Sequence, residues 1–206
     1  MPRAFSELTF TPAVRAHQER MGSSNAYSKF LTSGRQQGHR IGPAEKAFIE
    51  ARDGFYQATV SETGWPYVQF RGGPVGFLKV LGPHTIGYAD LSGNKQYISR
   101  GNLDGNDRIA MILMDYANQQ RLKVLGHVEF SEGEAAAASL CPQNSDAPAE
   151  RAVIIRVAAL DWNCPRHIPA RFTEAELRPH LNNLGQQLAK LQQENELLKQ
   201  QLAEQR

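Results

Sequence analysis

From Phe55 onward the chain is written in short apolar runs separated by turn residues. FYQATV and YVQF flank SETGWP, and FLKVL and TIGYA flank GPH, so each pair reads as a hairpin. RIAMILM, residues 108–114, is continuously apolar and predicts a strand buried on both faces. LKVLGHVEF predicts a strand with a bulge at Gly126, and AVIIRVAALDW predicts the last strand. Six short strands at close spacing predict a barrel or sandwich, interrupted by short helices over Lys95–Arg100 and Glu132–Leu140. Upstream, Pro43 stands at a good first helical position before AEKAFIEAR, where Ala47, Phe48 and Ala51 give one apolar side. Residues 1–42 are polar, with a short helix expected over Pro12–Met21 and an arm or loop through GSSNAYSKFLTSGRQQGHR.

The period changes at the other end. Leu181, Leu184, Leu188, Leu191, Asn195, Leu198 and Leu202 are spaced alternately by three and four, a heptad seam. Leu181, Leu188, Asn195 and Leu202 take the a positions, and Leu184, Leu191 and Leu198 the d positions. A single Asn at an a position favours a parallel two-stranded coil. The alternative, a solvated helix laying its leucines on its own barrel, fits less well with a seam regular over three heptads. The residues leading into it, FTEAELRPHLNN, hold two glutamates and a proline, which excludes a basic zipper for DNA. The expected organisation is an arm over 1–42, a barrel over 43–172 and a coil over 173–206. The coil is short, roughly 30 Å at 1.5 Å per residue, so the barrel is expected to dimerise as well.

Composition narrows the partners. With 206 residues, 41% hydrophobic, 21% charged and a net charge of +2, the chain implies no strong field for nucleic acid or membrane. MPRAFSELTF has no apolar signal region, and no apolar run approaches the roughly 20 residues that span a bilayer. Two cysteines, Cys141 and Cys164, are too few for a disulfide scaffold, so a reducing cytoplasm is expected.

Candidate chemistry gathers in two stretches. QFRGGPVGFLK, residues 69–79, loosens the backbone between Arg71 and Lys79. It lacks the spacing of a phosphate-binding P-loop. It reads either as a plain inter-strand loop or as a cradle in which backbone N–H groups and two cations meet an anionic cofactor. TIGYADLSGNKQYIS then ends a strand at Tyr88 and opens a helix at Asn94 and Lys95, an arrangement suited to phosphate. RLKVLG puts Arg121 and Lys123 on one strand face. Cys164-x-x-His167 is half of a metal pattern without a second half, so no metal site is assigned, and Cys164 reads as a small buried residue before a proline. Trp162 reads as core, and the other histidines form no cluster.

The order of these pieces, over about Ala44–Phe172, resembles the FMN-binding split-barrel family related to pyridoxamine 5'-phosphate oxidase. The pieces are Arg71, Leu78-Lys79, the strand ending at Tyr88, Lys95 opening a helix, and the Arg121-x-Lys123-x-x-Gly126 strand. The resemblance implies a mainly β (α+β) fold: a six-stranded FMN-binding split barrel with short helices, here followed by the coiled-coil helix. It implies FMN held in the interface of a homodimer, with Arg71, Leu78 and Lys79 along the flavin and ribityl chain. Tyr88 and Ala89 would touch the cofactor through backbone, Asn94 and Lys95 would hold its phosphate, Arg121 would act from the second subunit, and Arg171 would reach the same region. The loop is longer than in the oxidases, and Asn94 stands where they often carry Arg. The implied activity is an FMN-dependent oxidoreductase of open substrate, or alternatively a non-catalytic flavin-binding or sensing module whose coil dimerises or recruits partners. The oxidases carry Arg-x-His-x-Arg near their C-terminus. With the last Arg set on Arg171, this chain offers His167 and Pro169 instead, so oxidation of pyridoxamine phosphate is not expected.

Overall fold

The computed structural model describes residues 3–32, 38–142, 148–162 and 166–204. The chain divides into two compact units, Met1–Asp115 with Gln119–Ile168, and Tyr116–Asn118 with Pro169–Arg206. In the first, the predicted hairpins form: β1 (Gly54–Val60) pairs antiparallel with β2 (Pro66–Gly72), and β3 (Lys79–Gly82) with β4 (Thr85–Leu91). They join β5 (Arg108–Asp115), β6 (Gln120–Glu132) and β7 (Ala149–Trp162) in one antiparallel sheet of order β2-β1-β5-β6-β7-β4-β3. Seven strands therefore replace the six expected.

Side chains show that this sheet is rolled. β1 and β4 are four places apart in the order, yet Phe55 packs edge-on against Tyr88 at 5.5 Å and Tyr88 Oη donates to Gln57 Oε1 at 3.1 Å. The interior is filled by Phe55, Leu78, Ile86, Met111, Leu113, Leu122, Val124 and Ile155, all at most 1% exposed. Burying a residue of this kind is worth about 1.5–3 kcal/mol, so this packing dominates the unit's stability. β5 alternates buried and open positions instead of being buried on both faces; the run is apolar because Ala110, Ile112 and Met114 form part of an outer apolar face. The bulge expected at Gly126 is present, with a register shift between Leu125 and Gly126. A Cβ there would meet Arg156 O and Ile155 Cγ2 at 2.8 Å, which is why glycine is needed.

The glycine-rich stretch also has a structural task. β2 runs through Arg71 to Gly72, and Phe77 N then closes a turn on Pro74 O at 2.9 Å, with Gly76 at φ +85°. That turn returns Phe77 and Leu78 to the core, where Phe77 stacks on Phe55 at 5.8 Å.

Seven helices complete the described residues: α1 (Arg3–Thr9), α2 (Pro12–Arg20), α3 (Ser24–Thr32), α4 (Pro43–Glu50), α5 (Ile98–Gly105), α6 (Glu134–Ala137) and α7 (Glu174–Glu204). The segment expected as an arm or loop thus contains α3, whose Tyr27 packs edge-on against Phe10 at 5.6 Å. Pro43 does open α4, but Phe48 and Ile49 are buried while Ala47 is exposed. The helix expected from Lys95 begins three residues later, because Lys95 and Tyr97 take left-handed φ values of 59° and 52°. In the second unit α7 is a 31-residue helix with no buried residue, and no helix among the described residues is long and apolar enough to cross a membrane.

Candidate functional site

The rolled sheet leaves a gap between β2 and β4. Because β2 alternates, Tyr67, Gln69 and Arg71 share its partly buried face. Arg71 reaches across the gap, its Nη1 lying 2.8 Å from Asp90 Oδ1 on β4. A cavity of about 220 Å³ opens there, lined from β2 by Tyr67, Gln69 and Arg71, from β4 by Asp90 and Leu91, by residues 93–100, and by Glu150 of β7.

Helix α5 points its N-terminus at this cavity. Tyr97 caps it without a side-chain bond, so its first N–H groups have no cap. Ser99, at the start, donates from Oγ to Gln69 Oε1 at 2.9 Å, and Asn102 Nδ2 donates to Thr59 Oγ1 at 3.0 Å, fixing the helix to β2 and β1. Asn94 Oδ1 accepts from Gln96 N at 3.2 Å and shapes the preceding turn.

The charges in and around the cavity form a chain. Asp90 holds Arg71 with one oxygen and Arg151 Nη1 with the other at 2.7 Å. Arg151 also pairs with Glu132 and Glu150, both at 3.0 Å, and Arg100 joins Glu132 at 3.1 Å as well as Asp104. Tyr97 Oη donates to Glu150 Oε1 at 3.2 Å. The hydrogen bond from Arg151 is the main cause that holds the Glu132 carboxyl below its usual range. Both cavity carboxylates are thus engaged by cations on the protein. Two positive features remain: Lys95, exposed and without an ion pair among the described residues, and Arg71 Nε, buried without a hydrogen-bond partner.

Of the residues singled out in the sequence, the cavity brings together Arg71, Asn94 and Lys95. The others lie elsewhere. Leu78 is core. Lys79 Nζ donates to Ser139 O at 2.9 Å. Tyr88 is buried, and that burial pushes its phenol pKa up. Ala89 packs with Ala137, Leu140, Ala149 and Ala152. Arg121 lies on β6, paired in register with Met114 of β5. Arg171 belongs to the second unit, its guanidinium 5.1 Å from the ring centre of Tyr116. Cys164 lies outside the described residues.

Sequence reasoning passed over Gln69 and Tyr67, although alternation from Arg71 points to both. It also passed over Asp90, Ser99, Arg100 and Glu150, whose relation to Arg71 exists only once the sheet rolls.

A second surface adjoins the first. On the outward face, Phe70, Tyr56 and Ile112 are register partners across β2, β1 and β5, and Val68 sits beside Ala58 and Ala110. Val68 and Phe70 are 63% and 57% exposed, and Lys123 continues the row opposite Ile112. Lys123 in turn lies 3.8 Å from Asp161, a carboxylate raised in pKa by burial and with Oδ1 unbonded.

A family model described as pyridoxamine 5'-phosphate oxidase matches residues 41–163, and the chain belongs to that family. No curated protein matches it. Among solved structures it is similar to HupZ of Group A Streptococcus, at 19% identity over 65% of this chain and 99% of that one, with a TM-score of 0.48. It is also similar to an FMN-binding protein from Syntrophomonas wolfei, at 12% identity over 74% and 95% of the two chains and a TM-score of 0.47. A Clostridium acetobutylicum protein related to general stress protein 26 aligns at 16% identity over 65% and 94%, with a TM-score of 0.44. The assignment rests on the match over 41–163.

Proposed function

We propose that the chain binds FMN with its phosphate in the gap between β2 and β4, and that the protein is an FMN-dependent oxidoreductase acting as a homodimer. The observation that carries the reading is the positive set at one cavity: Lys95, free of an ion pair among the described residues, the uncapped start of α5, and the guanidinium of Arg71 beside them. A phosphate dianion would pair with the Lys95 ammonium and accept from the first N–H groups of α5, whereas a neutral ligand would leave the Lys95 charge unpaired. Asn94 shapes the turn that presents Lys95. The bound isoalloxazine would carry the electrons, while the protein supplies binding and orientation.

The cavity's 220 Å³ is below the roughly 300–1,000 Å³ of sites that enclose a whole ligand, so one chain would supply part of the site. The apolar outer face of β2, β1 and β5 supports a second copy as the source of the rest, and Arg121, on β6 beside that face, would act across such an interface. Leu78, Lys79, Tyr88, Ala89 and Arg171 keep their proposed cofactor roles only if backbone or the second copy brings them to the flavin.

The test is titration of the apoprotein with FMN and riboflavin. A charge-assisted hydrogen bond is worth roughly 1.5–3 kcal/mol, so Lys95→Ala should weaken FMN about 10- to 150-fold and leave riboflavin nearly unchanged. Equal losses for both ligands would remove Lys95 from the phosphate. A flavin-binding or sensing module is the second reading, favoured by α7, which offers a long unburied helix to a partner. Flavin reduction by a nicotinamide donor with turnover of an acceptor separates the two. Neither includes pyridoxamine phosphate oxidation: Pro169 has no charge to clamp the substrate phosphate, and a specificity constant of about 10⁴ M⁻¹s⁻¹ or more on that substrate would reverse this.

A further inference from the structure

The exposed leucines of α7, Leu197 at a c position excepted, fall on one stripe. Leu181, Leu184, Leu188, Leu191, Leu198 and Leu202 are each 58–64% exposed and fall on the a and d positions of one stripe, with Asn195 completing it. Pro179, which cannot donate to the helix ladder, lies ahead of the stripe, and from Leu181 to Glu204 the helix holds no further proline. A 3.5-residue apolar repeat of this kind is made for knobs-into-holes packing against another helix.

We infer that this stripe is the seam of a parallel, in-register, two-stranded coiled coil whose other strand is α7 of a second copy of this chain. Two features choose that occupant. In a parallel in-register pair, a positions meet a positions, so Asn195 meets its own counterpart and the two amides bond each other. In an antiparallel pair, a meets d, and the amide would be buried against leucine.

The flanking charges agree. With Leu181 at a, Glu194 falls at g and Lys199 at the next e. Parallel helices place each g opposite the following e of the other strand, so Glu194 faces Lys199 of the second copy, and two-fold symmetry makes this contact twice. The remaining e and g positions from 185 to 201 are Gly185, Gln187, Gln192 and Gln201, so no like charges oppose the pairing. Within one chain Glu194 is 3.9 Å from Lys190, and Lys199 is 2.8 Å from Glu196. These exposed pairs contribute little and can be exchanged. The inference does not depend on the cofactor reading.

The test uses the full chain with Cys141→Ser and Cys164→Ser. Leu188→Cys, at an a position, should oxidise readily to a disulfide-linked dimer, whereas Gln186→Cys, at the outward f position, should not. Adding Glu194→Lys or Lys199→Glu alone sets like charges together and should slow cross-linking roughly tenfold, the sum of several few-tenths contributions. The double swap, or an equimolar mixture of the two single variants, should restore it. No disulfide at 188, equal cross-linking at 186, or swaps that do not restore each other would overturn the inference. An antiparallel seam or one reserved for a different protein gives the first of these results.

Discussion

The rolled sheet and helix α7 spend apolar residues in opposite ways. In β1, β5 and β6 the period is two, and alternate side chains enter a core where Phe55, Leu113 and Leu122 are at most 1% exposed. In α7 the period is 3.5, and no side chain is buried. Buried polar groups of the sheet are bonded inside the unit at Gln57, to Tyr88, and at Thr59, to Asn102, while Arg71 Nε and Asp161 Oδ1 are left without partners. α7 has only exposed pairs within its own turns, such as Arg178–Glu174 at 2.9 Å, worth about 0.2–0.5 kcal/mol each. The first region has a core of its own, and the second has none.

The sharpest way to break that comparison is to remove one large apolar side chain from each. Phe55→Ala should cost the first unit about 3–5 kcal/mol, since Phe55 touches both Phe77 and Tyr88 in the core. Leu198→Ala should leave the barrel's thermal midpoint where it is and change only helix content and self-association. Calorimetry with near-ultraviolet circular dichroism reads both. A barrel transition that fell equally in the two variants would mean that α7 is part of the barrel's core.

What the sequence made legible follows the same division. Local rules sufficed for the two hairpins, for Pro43 opening α4, for the bulge at Gly126 and for a long helix over the leucine repeat. Each depends on neighbours in the chain. RIAMILM misled because an apolar outward face and a doubly buried strand are written alike; only the exposed Ile112 between Tyr56 and Lys123 tells them apart. The start of α5 misled because Lys95 and Tyr97 adopt left-handed conformations that propensity disfavours. The candidate site was half legible. Arg71, Asn94 and Lys95 were visible as cations and amide beside glycine. The partner of Arg71 was not, since Asp90 reaches it only through the rolling of the sheet.

A smaller effect is expected at Asp90, which separates ion pairs that hold a site from those that decorate a surface. Its carboxylate is 9% exposed and engages Arg71 and Arg151 at once. Asp90→Asn removes the charge and one of the two acceptor oxygens, so one of the two guanidiniums loses its hydrogen bond and Arg71 loses its ion pair, at a cost of about 1–3 kcal/mol. Arg178→Ala on α7 should fall within about 0.5 kcal/mol of the parent. Chemical denaturation monitored on the barrel checks both, and indistinguishable midpoints for Asp90→Asn and the parent would show the pairing across the gap to be ornamental.

The smallest effect concerns Glu132, at the solvent end of the same chain of charges. Its side chain is 55% exposed, so water screens its bonds to Arg151 and Arg100 and the contribution should stay below about 1 kcal/mol. Its sign with pH is nonetheless fixed. The hydrogen bond from Arg151 is the main cause lowering the folded-state pKa from the ordinary 4.5. The unfolded chain therefore takes up a proton first, and the native state must give up its ion pairs to follow. The stabilisation is fully present above about pH 4.5 and is lost as pH falls through the lowered folded value. Glu132→Gln removes the titration but keeps the shape. Its stability deficit against the parent should be constant from about pH 7 down to about pH 5.5, then shrink as the solution is made more acid. Unfolding midpoints in urea across that range decide it: a deficit that grew on acidification would mean that Glu132 is held in its protonated form and that Arg151 relies on Asp90 and Glu150 alone.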